Sequence, residues 1–143
     1  MIAYQFIDHT ADIGVEIYGR TRRELFTNAC RAFQDLSLDR KEAVTGREDV
    51  LWEEKITVHG SDIADLLVNF LRELLYELNA KKRVIILCAI AAVSNNKLTA
   101  RLLFESYSPK RHTLKAEVKA VTYHGLCVEK TGSAWRAKVI FDV

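Results

Sequence analysis

A chain of 143 residues with 21 basic and 19 acidic side chains carries a net charge of +2, and 49% of its residues are hydrophobic. That length buries a core without metal or disulfide staples, and so balanced a charge gives no overall pull toward nucleic acid or membrane. The three cysteines, Cys30, Cys88 and Cys127, form no CxxC or CxxH pattern and sit in mostly apolar neighbourhoods, which reads as reduced core thiols and excludes a disulfide framework.

The start "MIAYQFIDHT" lacks the basic opening and long apolar run of a signal peptide. The longest apolar run, "VIILCAIAAV" at 84–93, is too short to span a bilayer, so a soluble cytoplasmic protein is expected. After a short apolar strand comes the polar link "DHTADIG" at 8–14, then strict alternation from Ile13 to Ile17, which predicts a strand buried on one face. Thr21 and Glu24 have the spacing of a capping box, and Leu25, Phe26, Ala29, Cys30, Phe33 and Leu36 continue as the apolar stripe of a helix over 22–37. Residues 39–49 are charged and aperiodic, a surface connection.

A second strand is expected from Val50 to Val58. Ser61 is the expected N-cap of a helix whose stripe runs Ile63, Leu66, Leu67, Phe70, Leu71, Leu74, Leu75, Leu78. Strands at 84–93 and 97–107 flank Ser94, Asn95 and Asn96, a hairpin turn. Leu114 to Lys130 reads as one long strand bent at Gly125, and "TGS" at 131–133 turns it into a closing strand from Trp135 to Val143. The expected fold is therefore α+β, one domain over 1–143 with antiparallel-rich sheets and two packed helices. Strand-helix-strand-strand order occurs twice: an outer module of 1–38 plus 112–143 encloses an inserted one at 50–107. No sequence repeat aligns the two.

The chemistry concentrates in "DHTADIG". Asp8 and Asp12 offer carboxylates, His9 a nitrogen and Thr10 a hydroxyl. Two readings stand: an Asx-type turn satisfying its own backbone, or an oxygen-rich site for a hard divalent cation. The ending "FDV" bears on the choice, because a buried-type strand running to Val143 fixes its α-carboxylate beside Asp142. If that strand lies against the one beginning near Ile13, several negative oxygens converge at one sheet end. His112 and His124 match no zinc spacing, "SPKRH" at 108–112 is a basic loop, and no glycine-rich phosphate loop or nucleophile elbow occurs.

"DHTADIG", "DLLVNFLRELLYEL", "EVKAVTYHGLCVEK" and the ending "VIFDV" together resemble the archease family, in order and over the full length. The resemblance implies the nested fold. It also implies a non-enzymatic activator of the RtcB-type RNA ligase, promoting ligase guanylylation and repeated turnover in tRNA splicing and RNA repair. On its account Asp12, Asp142 and Val143 hold a divalent cation, calcium first, with magnesium or manganese as alternatives. Asp8 and His9 support them, Lys119 is a candidate for partner contact, and RNA is reached indirectly through the ligase, with no membrane involved. Two rival readings are an RNA-associated chaperone or modulator of a tRNA-modifying enzyme using Lys110, Arg111 and Lys119, and a metal-dependent hydrolase, for which nucleophile and base are missing.

Overall fold

The computed structural model describes residues 2–8, 11–40 and 51–143, with Asp8 described in its backbone alone. In chain order the elements are β1 (Tyr4–Asp8), β2 (Asp12–Gly19), α1 (Arg22–Ser37), β3 (Leu38–Arg40), β4 (Trp52–His59), α2 (Ile63–Asn79), β5 (Arg83–Val93), β6 (Lys97–Ser106), β7 (His112–Leu114), β8 (Ala120–Thr131) and β9 (Ala134–Asp142). They form a four-stranded sheet in the order β1-β2-β9-β8, a three-stranded sheet β4-β6-β5 and a small pair β3-β7, with every pairing antiparallel. Both helices pack on both larger sheets and on each other. Phe26 and Phe70 meet edge to face at 5.7 Å where the helices touch. The α+β class and the nested plan are as expected.

The two larger sheets share one topology. In each, the strand before the helix pairs with the last strand, which pairs with the middle one: β2-β9-β8 and β4-β6-β5. Both middle strands are irregular, β8 between Thr122 and Cys127 and β5 between Ile85 and Leu87. Gly125 in the β8 irregularity has φ +64°, a conformation glycine adopts without steric cost.

Although no repeat is evident in the letters, the strand-to-helix turns match contact by contact. Gly19, the last residue of β2, and Gly60, the residue after β4, lie so close to the helix that an added Cβ would be 2.4 Å from the amide nitrogens of Leu25 and Leu66. Thr21 and Asp62 are the N-caps, accepting from the amides of Glu24 and Asp65 at 3.0 and 2.8 Å. Glu24 and Asp65 reach back to the amides of Arg20 and Ser61 at 3.2 and 2.8 Å. Asn28 and Asn69 donate to the carbonyls of Tyr18 and His59 at 2.7 and 2.8 Å.

Other expectations need correction. The second helix is capped by Asp62 and not Ser61, because the Ser61 amide is the group that Asp65 holds. The segment after Leu114 is not strand until Ala120, and His112–Leu114 instead pairs with Leu38–Arg40. Of the connection at 39–49, residues 39 and 40 belong to β3 and the rest, like Val50, lie outside the described residues. Cys30 is buried, while Cys88 and Cys127 are partly exposed. No described helix is long and apolar enough to cross a membrane.

Candidate functional site

Alternation decides where the acidic residues point. In β2, Val15 and Ile17 are fully buried against the helices. Asp12, Gly14, Glu16 and Tyr18 therefore share the opposite face. In β9, Ala137, Val139 and Phe141 take the buried side, leaving Arg136, Lys138 and Asp142 across from them. The β2–β9 register sets Asp12 directly opposite Asp142. The adjacency inferred from "DHTADIG" and "FDV" thus exists, and the two carboxylates sit on one face at one sheet end.

Like charges placed directly opposite are destabilising across an antiparallel pair. Along the same face Glu16 shows how such a charge is usually handled. Tyr18 Oη donates to it at 2.5 Å and Arg136 pairs with it at 3.4 Å, and these contacts, Tyr18 first, hold its carboxyl below the ordinary range against the opposing effect of burial. Asp12 and Asp142 have no cationic partner among the described residues. Asp12 Oδ1 is buried and without a hydrogen-bond partner. A carboxylate oxygen withdrawn from water and left unpaired costs free energy unless a cation or proton meets it.

The oxygen donors here suit a hard divalent ion. Val143, the next residue, is half-buried and packs on the core, so its main chain is held at the same edge. The Lys119 amide donates to the Asp142 carbonyl at 2.8 Å and Lys119 itself is exposed, which puts it beside the acidic pair. The Asp8 backbone pairs with Ile13. Its side chain and His9 lie outside the described residues, as does Thr10. Among the described residues, no three His, Cys, Asp or Glu side chains gather as a metal cluster. The side-chain donors that do converge are the two carboxylates.

A second polar cluster was not legible in the sequence. Glu105 of β6 is fully buried and accepts from His112 Nε2 at 2.6 Å and from Arg40 Nε at 2.9 Å. The Ser108 amide donates to His112 Nδ1 at 3.0 Å, which leaves the ring proton on Nε2, aimed at Glu105. Burial pushes the Glu105 carboxyl up, but the His112 and Arg40 contacts together bring it below the ordinary range. The cluster ties the β3-β7 pair to β6. His112 is a hydrogen-bonded structural histidine, and His124 is exposed. Arg111 of the basic loop donates to the Ser106 carbonyl at 3.0 Å.

Comparison with known proteins agrees with this architecture. Residues 4–143 match the model of the Archease protein family. The chain is 36% identical to a protein archease of Archaeoglobus fulgidus, covering 98% of each chain. It is 35% identical to one of Methanosarcina barkeri, covering 98% of this chain and 95% of that one. The solution structure of Methanobacterium thermoautotrophicum protein 1598 superposes with a TM-score of 0.71 at 26% identity over 99% of both chains. The crystal structure of an archease from Thermotoga maritima has the same fold, with a TM-score of 0.67 at 24% identity over 96% of this chain and 94% of that one.

Proposed function

Because this chain belongs to the archease family, we propose that it is a non-enzymatic activator of an RtcB-type RNA ligase, working through the acidic edge at Asp12 and Asp142. The observation that carries this reading is the buried, unpartnered Oδ1 of Asp12, set in register against a second carboxylate. Asp12, Asp142 and the main-chain carboxylate of Val143 would hold a divalent cation, calcium before magnesium or manganese, with Asp8 and His9 supporting them. Such an ion supplies charge neutralisation for a triphosphate.

The protein's own part is positioning. The β2–β9 pairing fixes the two carboxylates in the sheet, so their geometry is set before any partner arrives. Lys119, exposed beside them, offers a cation to the partner's surface or to phosphate. On this reading the covalent step belongs to the ligase. The test is ligase guanylylation in the presence of Asp12→Ala and Asp142→Ala proteins that remain folded. Stimulation is expected to be lost in both, and undiminished stimulation by both removes the acidic edge from the function.

A further inference from the structure

We propose that Cys30 of α1 and Cys88 of β5 are a reversible thiol–disulfide pair, oxidised by hydrogen peroxide, whose disulfide ties α1 to the three-stranded sheet. About 60 residues of chain separate the two cysteines, and the fold brings them together by laying α1 along β5, the edge strand of that sheet. Two side chains of α1 fix the alignment. Arg23 donates to the Ala91 carbonyl at 2.9 Å, and Gln34, about three turns further on, donates to the Ile85 carbonyl at 2.7 Å. The helix thus runs against the strand from Ala91 back to Ile85, and Cys30, between the two anchors, falls level with Cys88.

The strand is shaped to present its thiol. Between Ile85 and Leu87 the register shifts, so Ile86 has no counterpart on β6. One extra residue reverses which of the following side chains face the core. Leu87 is accordingly 63% exposed, while Cys88 turns inward on the same side as buried Ile90. Both cysteines line one hollow of about 150 Å³, with Thr27, Arg31, Gln34 and Leu87 around them. Within it the two thiols interact directly. The Cys30 thiol, donating to Cys88, holds Cys88 below the usual cysteine range against the opposing effect of burial. The same contact, with burial added, pushes Cys30 well above that range. Exposure gives the same order, since Cys30 is buried and Cys88 is partly exposed. Cys88 is the reacting thiolate and Cys30 the resolving thiol.

A hollow of this size holds a few water molecules, which suits hydrogen peroxide better than a peptide disulfide. The Cys88 thiolate attacks the peroxide: an S–O bond forms, the O–O bond breaks, and hydroxide leaves, taking up the proton that Cys88 lost to become water. The Cys30 sulfur then attacks the Cys88 sulfenic acid. The S–S bond forms, the S–O bond breaks, and the departing hydroxide takes the Cys30 proton as a second water. Two thiols and one peroxide give one disulfide and two waters, the sulfurs supplying the two electrons. An external dithiol restores the thiols by exchange. The pair stands whether or not the acidic edge acts on a ligase.

Peptide mapping of the folded full chain after hydrogen peroxide treatment, alkylation and tryptic digestion without reductant tests it. Peptide 24–31, which carries Cys30, is expected to be linked to peptide 84–97, which carries Cys88, with Cys127 alkylated. The linked protein should unfold roughly 10 °C higher, a gain that dithiothreitol reverses. Cys30→Ser is expected to leave a sulfenic acid on Cys88 that dimedone captures, and Cys88→Ser to give about tenfold less capture at Cys30. Cys127→Ser should keep both the link and the rise in Tm. The wild-type map does not depend on any variant folding. The proposal is overturned if the two peptides stay unlinked in folded protein, if the link forms only in denaturant, or if Cys127 is linked as readily as Cys30.

Discussion

Replacing Asp12 by asparagine inverts its effect on stability according to whether a divalent cation is present. Residues directly opposite in an antiparallel pair have side chains starting about 5 Å apart. Two charges at that separation repel by about 1 kcal/mol in water and about 3 kcal/mol at the effective dielectric of a protein surface. Asp142 is exposed, so the lower figure applies. In metal-free buffer Asp12→Asn is therefore expected to stabilise the fold by about 1 kcal/mol, a rise in Tm of roughly 4 °C for a chain of this size. Calcium at a hundredfold excess over its Kd stabilises the wild-type protein by about 2.7 kcal/mol, and the variant lacks that gain. The two unfolding curves should thus exchange order between chelator and calcium, read by circular dichroism or calorimetry. A variant that is less stable than wild type in chelator, with neither protein responding to calcium, would make Asp12 the acceptor of an ordinary Asx turn and not a cation ligand.

Three further outcomes follow from the same geometry. Gly19→Ala and Gly60→Ala each force a Cβ against a helix backbone nitrogen at 2.4 Å and should destabilise by similar amounts, about 2 kcal/mol each, in denaturant titration; a neutral effect at either would contradict the matched turns. Glu105→Ala strands the buried His112 Nε2–H and should cost about 2–3 kcal/mol. Because the folded Glu105 carboxyl lies below its ordinary value of 4.5, its contribution is full above that pH and is lost as pH falls below it, so the variant's acid unfolding should lack this part of the pH dependence. Appending residues after Val143 abolishes its α-carboxylate and should lower cation affinity in calorimetric titration, whereas equal affinity would take Val143 out of the ligand set.

The helices were legible because their apolar stripes and caps are local. The Thr21–Glu24 box and the run to Leu36 place α1 over 22–37, and the structure ends it at Ser37. The bend at Gly125 was legible because glycine accepts φ +64°, and the hairpin at Ser94–Asn96 because short polar side chains hold such turns: Ser94 Oγ accepts from the amides of Asn96 and Lys97 at 3.3 and 3.2 Å. The β3-β7 pair was not. Each strand has three residues and no alternation to read, and its partner is far off in sequence. The internal repeat is faint in the letters because several matched contacts are made by different residues: Thr21 answers to Asp62 and Glu24 to Asp65, while Gly19, Leu25 and Asn28 recur as Gly60, Leu66 and Asn69.

In the candidate site, the pairing of Asp12 with Asp142 was reachable only by assuming that the first long strand lies beside the last one. The register bears that assumption out.

Ligase turnover reads out the proposed activation. With RNA ends in large excess over an RtcB-type ligase, GTP and a divalent cation, catalytic amounts of this protein should convert a single round of joining into many. Asp12→Asn protein, folded and at the same concentration, should not. Equal product with and without the wild-type protein, or full activation by the variant, would contradict it.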